Sequence, residues 1–419
     1  MIDGAVPDAW LGHAEIRRLA NGLTVAVLED RSAPVVSTAL WYRAGAAHEP
    51  VGAAGMAHFL EHMMFKGSAD WPEGEIDART QAVGGVNNAY TSHDSTVYVF
   101  SLPRRHWRLA LEIEADRMTG LVLDPAAVDS ERDVIFEEIS EADDSPWDAL
   151  EMAAMERLYG EHPYGRRILG SHQSLSSIGA DQLATFHGVA CAPARAVLTV
   201  SGDVGSEVFE AVDELFADLP AREGELPEDL PTRGRSGAAR VELSLGRTRR
   251  GLQIFAAPSA RTQEFVALRL ALTALCGGRS SRLQRRLVDE GRLCQSVSSS
   301  VSETVEGGAA VLSFEALPQV SEESIEEVIE EVLTADLSTA LNSESVERAR
   351  RMLLSDWLFS HETIELRGAT LGAGLALFGD DYTRRQYEWL RETTVEEIVE
   401  VARGCLTTDD RIVAWTGSA

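Results

Sequence analysis

Basic side chains are scarce in this sequence. Of its 419 residues, 38 are Lys or Arg against 67 Asp or Glu, a formal charge of -29. Nucleic-acid phosphates and anionic lipid headgroups are bound by clustered cations that displace counterions, so so acidic a chain argues against both as partners. Long apolar runs are missing too, and no stretch of about 18 such residues offers a membrane span. Met1 to Gly12 has neither the basic start and apolar middle of a secretory leader nor the Arg-rich, acid-poor character of a transit peptide, and the expected location is cytoplasmic. Cysteine is the third shortage. Cys191, Cys276, Cys294 and Cys405 stand far apart without CxxC spacing, which argues against a disulfide framework or a thiolate metal site.

What the chain does have is length enough for two or three domains and a visible break. From Pro220 to Gly237, PAREGELPEDLPTRGRSG replaces any apolar period with proline, glycine and charge. The expected organisation is an N-terminal αβ unit over 1–219, a linker over 220–238 and a C-terminal αβ unit over 239–419. The halves echo each other: Arg195 to Val204 (RAVLTVSGDV) and Arg411 to Gly417 (RIVAWTG) are both β-rich runs near a closing glycine, each after a helical segment and a Cys-containing turn. The fold class is therefore α+β, two similar repeats in which a mixed sheet is covered by helices. LTVAVL (23–28) and VVSTALWY (35–42) read as strands, and a helix is expected from near Gly52 to Gly67. Gly84 to Leu102 reads as a hairpin turning at Ser92-His93-Asp94, followed by acidic helices around Leu109–Thr119 and Ser130–Glu141. In the second half, Glu322 to Leu333 reads as an amphipathic helix with a solvated acidic face.

The segment Met56 to Gly67, MAHFLEHMMFKG, carries the chemistry. At 100° per residue, Met56, Phe59, Leu60, Met63 and Met64 form one stripe, and His58, Glu61, His62 and Phe65 the opposite one. Histidines at i and i+4 stand one turn apart, a spacing at which both can ligate one zinc ion at about 2.0 to 2.1 Å. Glu61 lies beside them. The order is HxxEH, the inverse of the commoner HExxH. A catalytic zinc site needs a third protein ligand and an open position. SERDVIFEEISE (130–141) offers Glu131, Glu137, Glu138 and Glu141. Glu131 and Glu138 fall about 20° apart on a helical wheel, on the side of Val134 and Ile135, while Glu137 points away with Asp133. Glu138 is then expected to be buried, where a carboxylate needs a cation, and Glu131 suits a carboxylate that orients a ligand histidine through its other nitrogen. Zinc acidifies water and polarises a carbonyl, and a neighbouring carboxylate, Glu61, shuttles the proton to a leaving group. The simplest substrate is a peptide bond.

HFLEHMMFKGS, GGVNNAYTSHDSTVYVF and ERDVIFEEI resemble the pitrilysin family of inverted-motif zinc peptidases, which includes insulin-degrading enzyme and the mitochondrial processing peptidase. The resemblance covers nearly the whole chain and is to the short two-repeat type. It implies His58, His62 and Glu138 as zinc ligands, Glu61 as catalytic base and Glu131 as the supporting carboxylate. It also implies an edge strand around Asn88 and Ala89 that pairs with extended peptide substrates, and dimerisation into a shell around a chamber.

One departure stands out. The family carries an Arg and a Tyr seven residues apart that help bind substrate and stabilise the oxyanion. Aligned through Ser281-Arg282-Leu283 and Ser296-Val297, this chain has Val288 and Gln295 there, although Arg285, Arg286 and Arg292 lie nearby. The expectation is a zinc-bearing subunit of a heterodimer whose homologous partner lacks HxxEH and supplies the pair. The alternatives are a non-catalytic scaffold subunit of the same fold and a self-sufficient homodimeric processing peptidase.

Overall fold

The computed structural model describes residues 14–221, 226–227, 230–231, 233–234 and 237–417, so the expected linker lies partly outside the described residues. Two compact units emerge. The first comprises the described residues within Met1–Ile139, Arg166–Asp229 and Leu358–Arg384, and the second those within Ser140–Gly165, Leu230–Trp357 and Arg385–Ala419.

The first unit is built on six strands, β1 (Glu15–Arg18), β2 (Thr24–Glu29), β3 (Val35–Tyr42), β4 (Val86–Thr91), β5 (Thr96–Pro103) and β6 (Ala196–Gly202), in the order β1-β2-β6-β3-β5-β4. The second has β7 (Ala239–Leu243), β8 (Arg250–Ala256), β9 (Cys294–Val301), β10 (Ala309–Ala316) and β11 (Ile412–Thr416), ordered β7-β11-β8-β10-β9. In each, the last strand lies parallel to an early one, β2 beside β6 and β7 beside β11, and the other pairs are antiparallel. Apart from β1, the two sheets therefore share one topology, and the two similar closing segments of the sequence are the equivalent strands β6 and β11.

The helices that matter for the site and its support are α1 (Met56–Met63), α2 (Arg108–Gly120), α3 (Pro125–Asp144), α4 (Pro146–Tyr159), α5 (Gln263–Cys276), α6 (Glu322–Leu333) and α7 (Ile364–Ala373). The units do not follow the halves of the sequence. Helix α4, from the first half, packs on β7, β8 and β11, while α7, from the second half, packs on β3 and β6. The burial pattern explains the exchange. Strand β3 is buried at every position but the first, so it needs cover on both faces. Val36, Leu40 and Tyr42 join the α1 side with Tyr98 and Leu198; Ala39 and Trp41 join Val97, Val197 and Ala376 on the other. A sequence-local reading has no access to that second layer.

Helix α1 ends at Met63, with Met64 as its C-cap, so Phe65 lies beyond it rather than on its polar face. The apolar stripe Met56, Phe59, Leu60, Met63 and Met64 is buried. Helix α3 starts five residues earlier than expected because Asp124 accepts the N–H groups of Ala126 and Ala127. The face of α6 is not simply solvated: Glu322 and Glu326 pair with Arg240, and Glu326 also accepts the Trp415 indole N–H. No cysteine is in a disulfide. Among the described residues no helix is long and apolar enough to cross a membrane.

Close approach of α7 to the first sheet depends on glycine. A Cβ at Gly372 would lie 2.2 Å from Trp41 Nε1, and one at Gly368 would lie 2.4 Å from Ser201 Oγ. Gly372→Val is expected to destabilise the protein by about 1 to 3 kcal/mol, read as a lower denaturation midpoint, whereas Gly404→Ala, at a position with open space, is expected to cost nothing.

Candidate functional site

The site belongs wholly to the first unit. Helix α1 has only eight residues and a glycine N-cap, so its first N–H groups need an outside acceptor. Glu49, 2% exposed, provides it: its carboxylate accepts from Gly55 N at 3.1 Å and Ala57 N at 2.8 Å. Burial pushes the Glu49 pKa up to about 8, against the pull of those N–H groups and Arg166. Gly55 takes φ +91°, and a Cβ there would meet Leu169 O at 2.8 Å and Gly170 Cα at 2.9 Å. The start of the helix is thus clamped one turn before the chemistry begins.

On α1 His58 and Glu61 are buried and His62 is half-buried, their rings and carboxylate facing α3 and β4. Glu138 Oε2 lies 3.6 Å from Nε2 of both His58 and His62. Among the described residues these three form the one group of His, Cys, Asp or Glu able to hold a metal ion, with ligand atoms all within 4.8 Å of one another. Ligands about 2.05 Å from a tetrahedral metal stand about 3.3 Å apart, so the donor set and its spacing suit zinc with a modest inward adjustment.

The expected burial of Glu138 is not what the structure has. Its side chain is 40% exposed and Val134 is 50% exposed. The buried stripe of α3 is Val128, Glu131, Ile135 and Ile139, which leaves Val134 and Glu138 on the rim. Glu131 is the buried carboxylate. Its Oε1 accepts from His62 Nδ1 at 2.8 Å, and its Oε2 pairs with Lys66 Nζ at 2.7 Å. These contacts, the His62 bond foremost, hold Glu131 below the usual carboxylate range. In return, Glu131 raises His62 above its ordinary pKa although burial opposes it. His58 has no such partner: burial, then the neighbouring His62, lower its pKa to about 4.

Glu61 sits with Oε2 accepting from Thr91 Oγ1 at 2.5 Å. Burial raises its pKa, while Thr91 and His62 work the other way. Thr91 ends β4, which among the described residues has a hydrogen-bonded neighbour on one side only. Asn88 is exposed on that strand, and its Oδ1 accepts from Ala89 N at 2.9 Å; Ala89 packs on the core. Lys66, Thr91 and Glu49 escaped the sequence reading. Thr91 lay inside the singled-out NNAYTS segment, and only its register on β4, on the same side as Ala89, marks it.

Residues 24–172 match the family described as Insulinase (Peptidase family M16), and residues 177–353 match that described as Peptidase M16 inactive domain. A Mycobacterium leprae protein named as an uncharacterized zinc protease is 30% identical over 400 residues, covering 93% of this chain and 88% of its own length. The chain belongs to peptidase family M16. A Bacillus subtilis protein with the same description is 25% identical, with 93% and 95% of the two chains covered. Among solved structures, a Helicobacter pylori protease superposes with a TM-score of 0.89 at 24% identity, covering 97% of this chain and all of its own. An M16-like peptidase from Alicyclobacillus acidocaldarius gives 0.85 at 23%, with 97% and 98% covered. These two share the fold.

The M16 repeat is visible in the second unit, where α5 and β9 occupy the places of α1 and β4. The cleft between them, about 420 Å³, is lined by Arg269, Thr273 and Cys276 of α5, Ser298 of β9 and the carboxylates Glu303 and Asp356, none of which belongs to a metal-ligand group among the described residues. Val288 lies half-buried in a π-helical turn and Gln295 is exposed on β9.

Zinc is expected to bind the metal-free chain one to one, and Glu131→Gln to weaken it about 10- to 100-fold by chelator competition. Because the His62 pKa is raised, affinity is expected to fall as the pH drops through that value, one proton competing per metal, with His58 joining only near pH 4.

Proposed function

We propose that this chain is a zinc endopeptidase acting on extended peptides or unfolded segments, in which His58, His62 and Glu138 hold the metal. The observation that carries the reading is the convergence of two imidazoles and a carboxylate beside a second, anchored carboxylate, Glu61. When bound, zinc supplies Lewis acidity, polarising a carbonyl oxygen and lowering the pKa of water toward neutrality. Glu61, held by Oε2, keeps Oε1 to take a proton from the attacking water and deliver it to the leaving amine. Glu131 fixes the His62 ring through Nδ1, leaving Nε2 for the metal. The one-sided edge of β4 accommodates a substrate strand at Asn88 and Ala89, where backbone pairing tolerates many sequences.

What this chain lacks is the family's Arg and Tyr, replaced by Val288 and Gln295. We assign that pair to a homologous partner subunit without HxxEH, the two closing a chamber as a heterodimer. The cytoplasm is the compartment in which the acidic chain is taken to work. Loss of an oxyanion donor costs about 100- to 1,000-fold in turnover, so the isolated chain is expected to hydrolyse a quenched peptide slowly and to gain about 100-fold on addition of the partner. Full activity of the isolated chain would favour a self-sufficient homodimer.

The missing Arg and Tyr also favour a second reading, a scaffold of the same fold. Glu61→Gln separates the two: a peptidase complex is expected to lose at least about 100-fold in turnover while keeping its zinc, and a scaffold shows neither zinc nor any change.

A further inference from the structure

Glu61 is held by the Thr91 hydroxyl, which itself lies against the hydroxyl of Thr96. Thr91 Oγ1 donates to Glu61 Oε2 at 2.5 Å, Thr91 Oγ1 lies 3.3 Å from Thr96 Oγ1, and Thr96 Oγ1 donates to the main-chain oxygen of Ala44 at 3.0 Å. Thr91 and Thr96 face each other as a register pair across β4 and β5, and Thr96 is buried. A carbonyl oxygen only accepts, so the single Thr96 hydrogen is committed to Ala44. Thr91 then has its own hydrogen for the carboxylate, and the contact between the two threonines carries none.

We propose that Thr91 is the positioning residue for Glu61. The proposal rests on the peptidase reading above. With Glu61 ionised, Thr91 donates to Oε2. A proton taken from the attacking water goes to Oε1, and Oε2 remains an acceptor for the Thr91 hydroxyl. Thr96 keeps its bond to Ala44 throughout. No proton leaves the threonines, and the Thr91 hydroxyl anchors the carboxyl group before and after each transfer. Because β4 is also the edge strand proposed to pair with substrate, the same rigid hairpin sets the register of the peptide and the aim of the base.

The test compares Thr91→Val, which preserves shape and strand propensity, with Thr91→Ser, which restores the hydroxyl, in the zinc-loaded complex as isolated from its source, using an internally quenched peptide. A hydrogen bond to a charged group carries enough energy for a change of about 10- to 100-fold. Thr91→Val is expected to lower kcat by that factor with KM and zinc content unchanged, Thr91→Ser to return kcat to within a few-fold of the parent, and a crystal structure of Thr91→Val to show the Glu61 carboxylate turned away from its present position. Unimpaired kcat in Thr91→Val, equal loss in both variants, or a loss confined to KM overturns the positioning role while leaving the peptidase reading intact. A parent complex with no zinc-dependent hydrolysis that Glu61→Gln removes overturns the peptidase reading and this proposal together.

Discussion

The carboxylate of Glu49 at the start of α1 is the constraint on which the rest of the site depends. Eight residues are too few for a helix to be stable by itself, yet this one must present His58, Glu61 and His62 in a fixed fan. Burying its N-terminus would leave main-chain N–H groups without partners, and Glu49 answers two of them. Leu169 O and the Gly170 backbone close against Gly55, where no side chain fits. Only with that end fixed does the sulfur- and aromatic-rich stripe of Met56, Phe59, Leu60 and Met63 set the rotation of the helix against the sheet.

Around this fixed helix the charges are graded by exposure. Lys66 and His62 share Glu131, which is buried and stays ionised because both of its oxygens have cationic or donor partners. Glu138 has no such cage and lies at the rim, open to solvent. Glu61 is between these extremes, covered but held by a neutral hydroxyl. Three carboxylates within one cleft thus differ in what they can do, and the difference comes from their neighbours rather than from their chemistry.

Much of this was legible beforehand. The HxxEH spacing, the 20° separation of Glu131 and Glu138, the hairpin turning at Ser92 and the strands at 23–28 and 35–42 all depend on local periodicity, and local periodicity is what a sequence displays. The sequence alone does not show where the buried stripe of α3 is centred: it runs through Val128, Glu131, Ile135 and Ile139, which leaves Glu138 about 65° and Val134 about 105° from its middle. Glu49, Lys66 and Thr91 were missed for another reason. Each acts on a residue brought near by a loop or a sheet register, and none carries a spacing signal of its own. The exchange of α4 and α7 was invisible because both are ordinary amphipathic helices whose destination is decided by strands far along the chain.

That exchange has a consequence for how the protein comes into being. The Trp41 face of the first sheet stays bare until translation has delivered Ile364 and the residues up to Phe378. That face of the first sheet therefore keeps an apolar surface open until a segment more than 300 residues after Trp41 has been made. Closure of such distant contacts is slow and exposes the nascent protein to aggregation. Neither half completes its own unit, since each supplies a helix that covers the other's sheet.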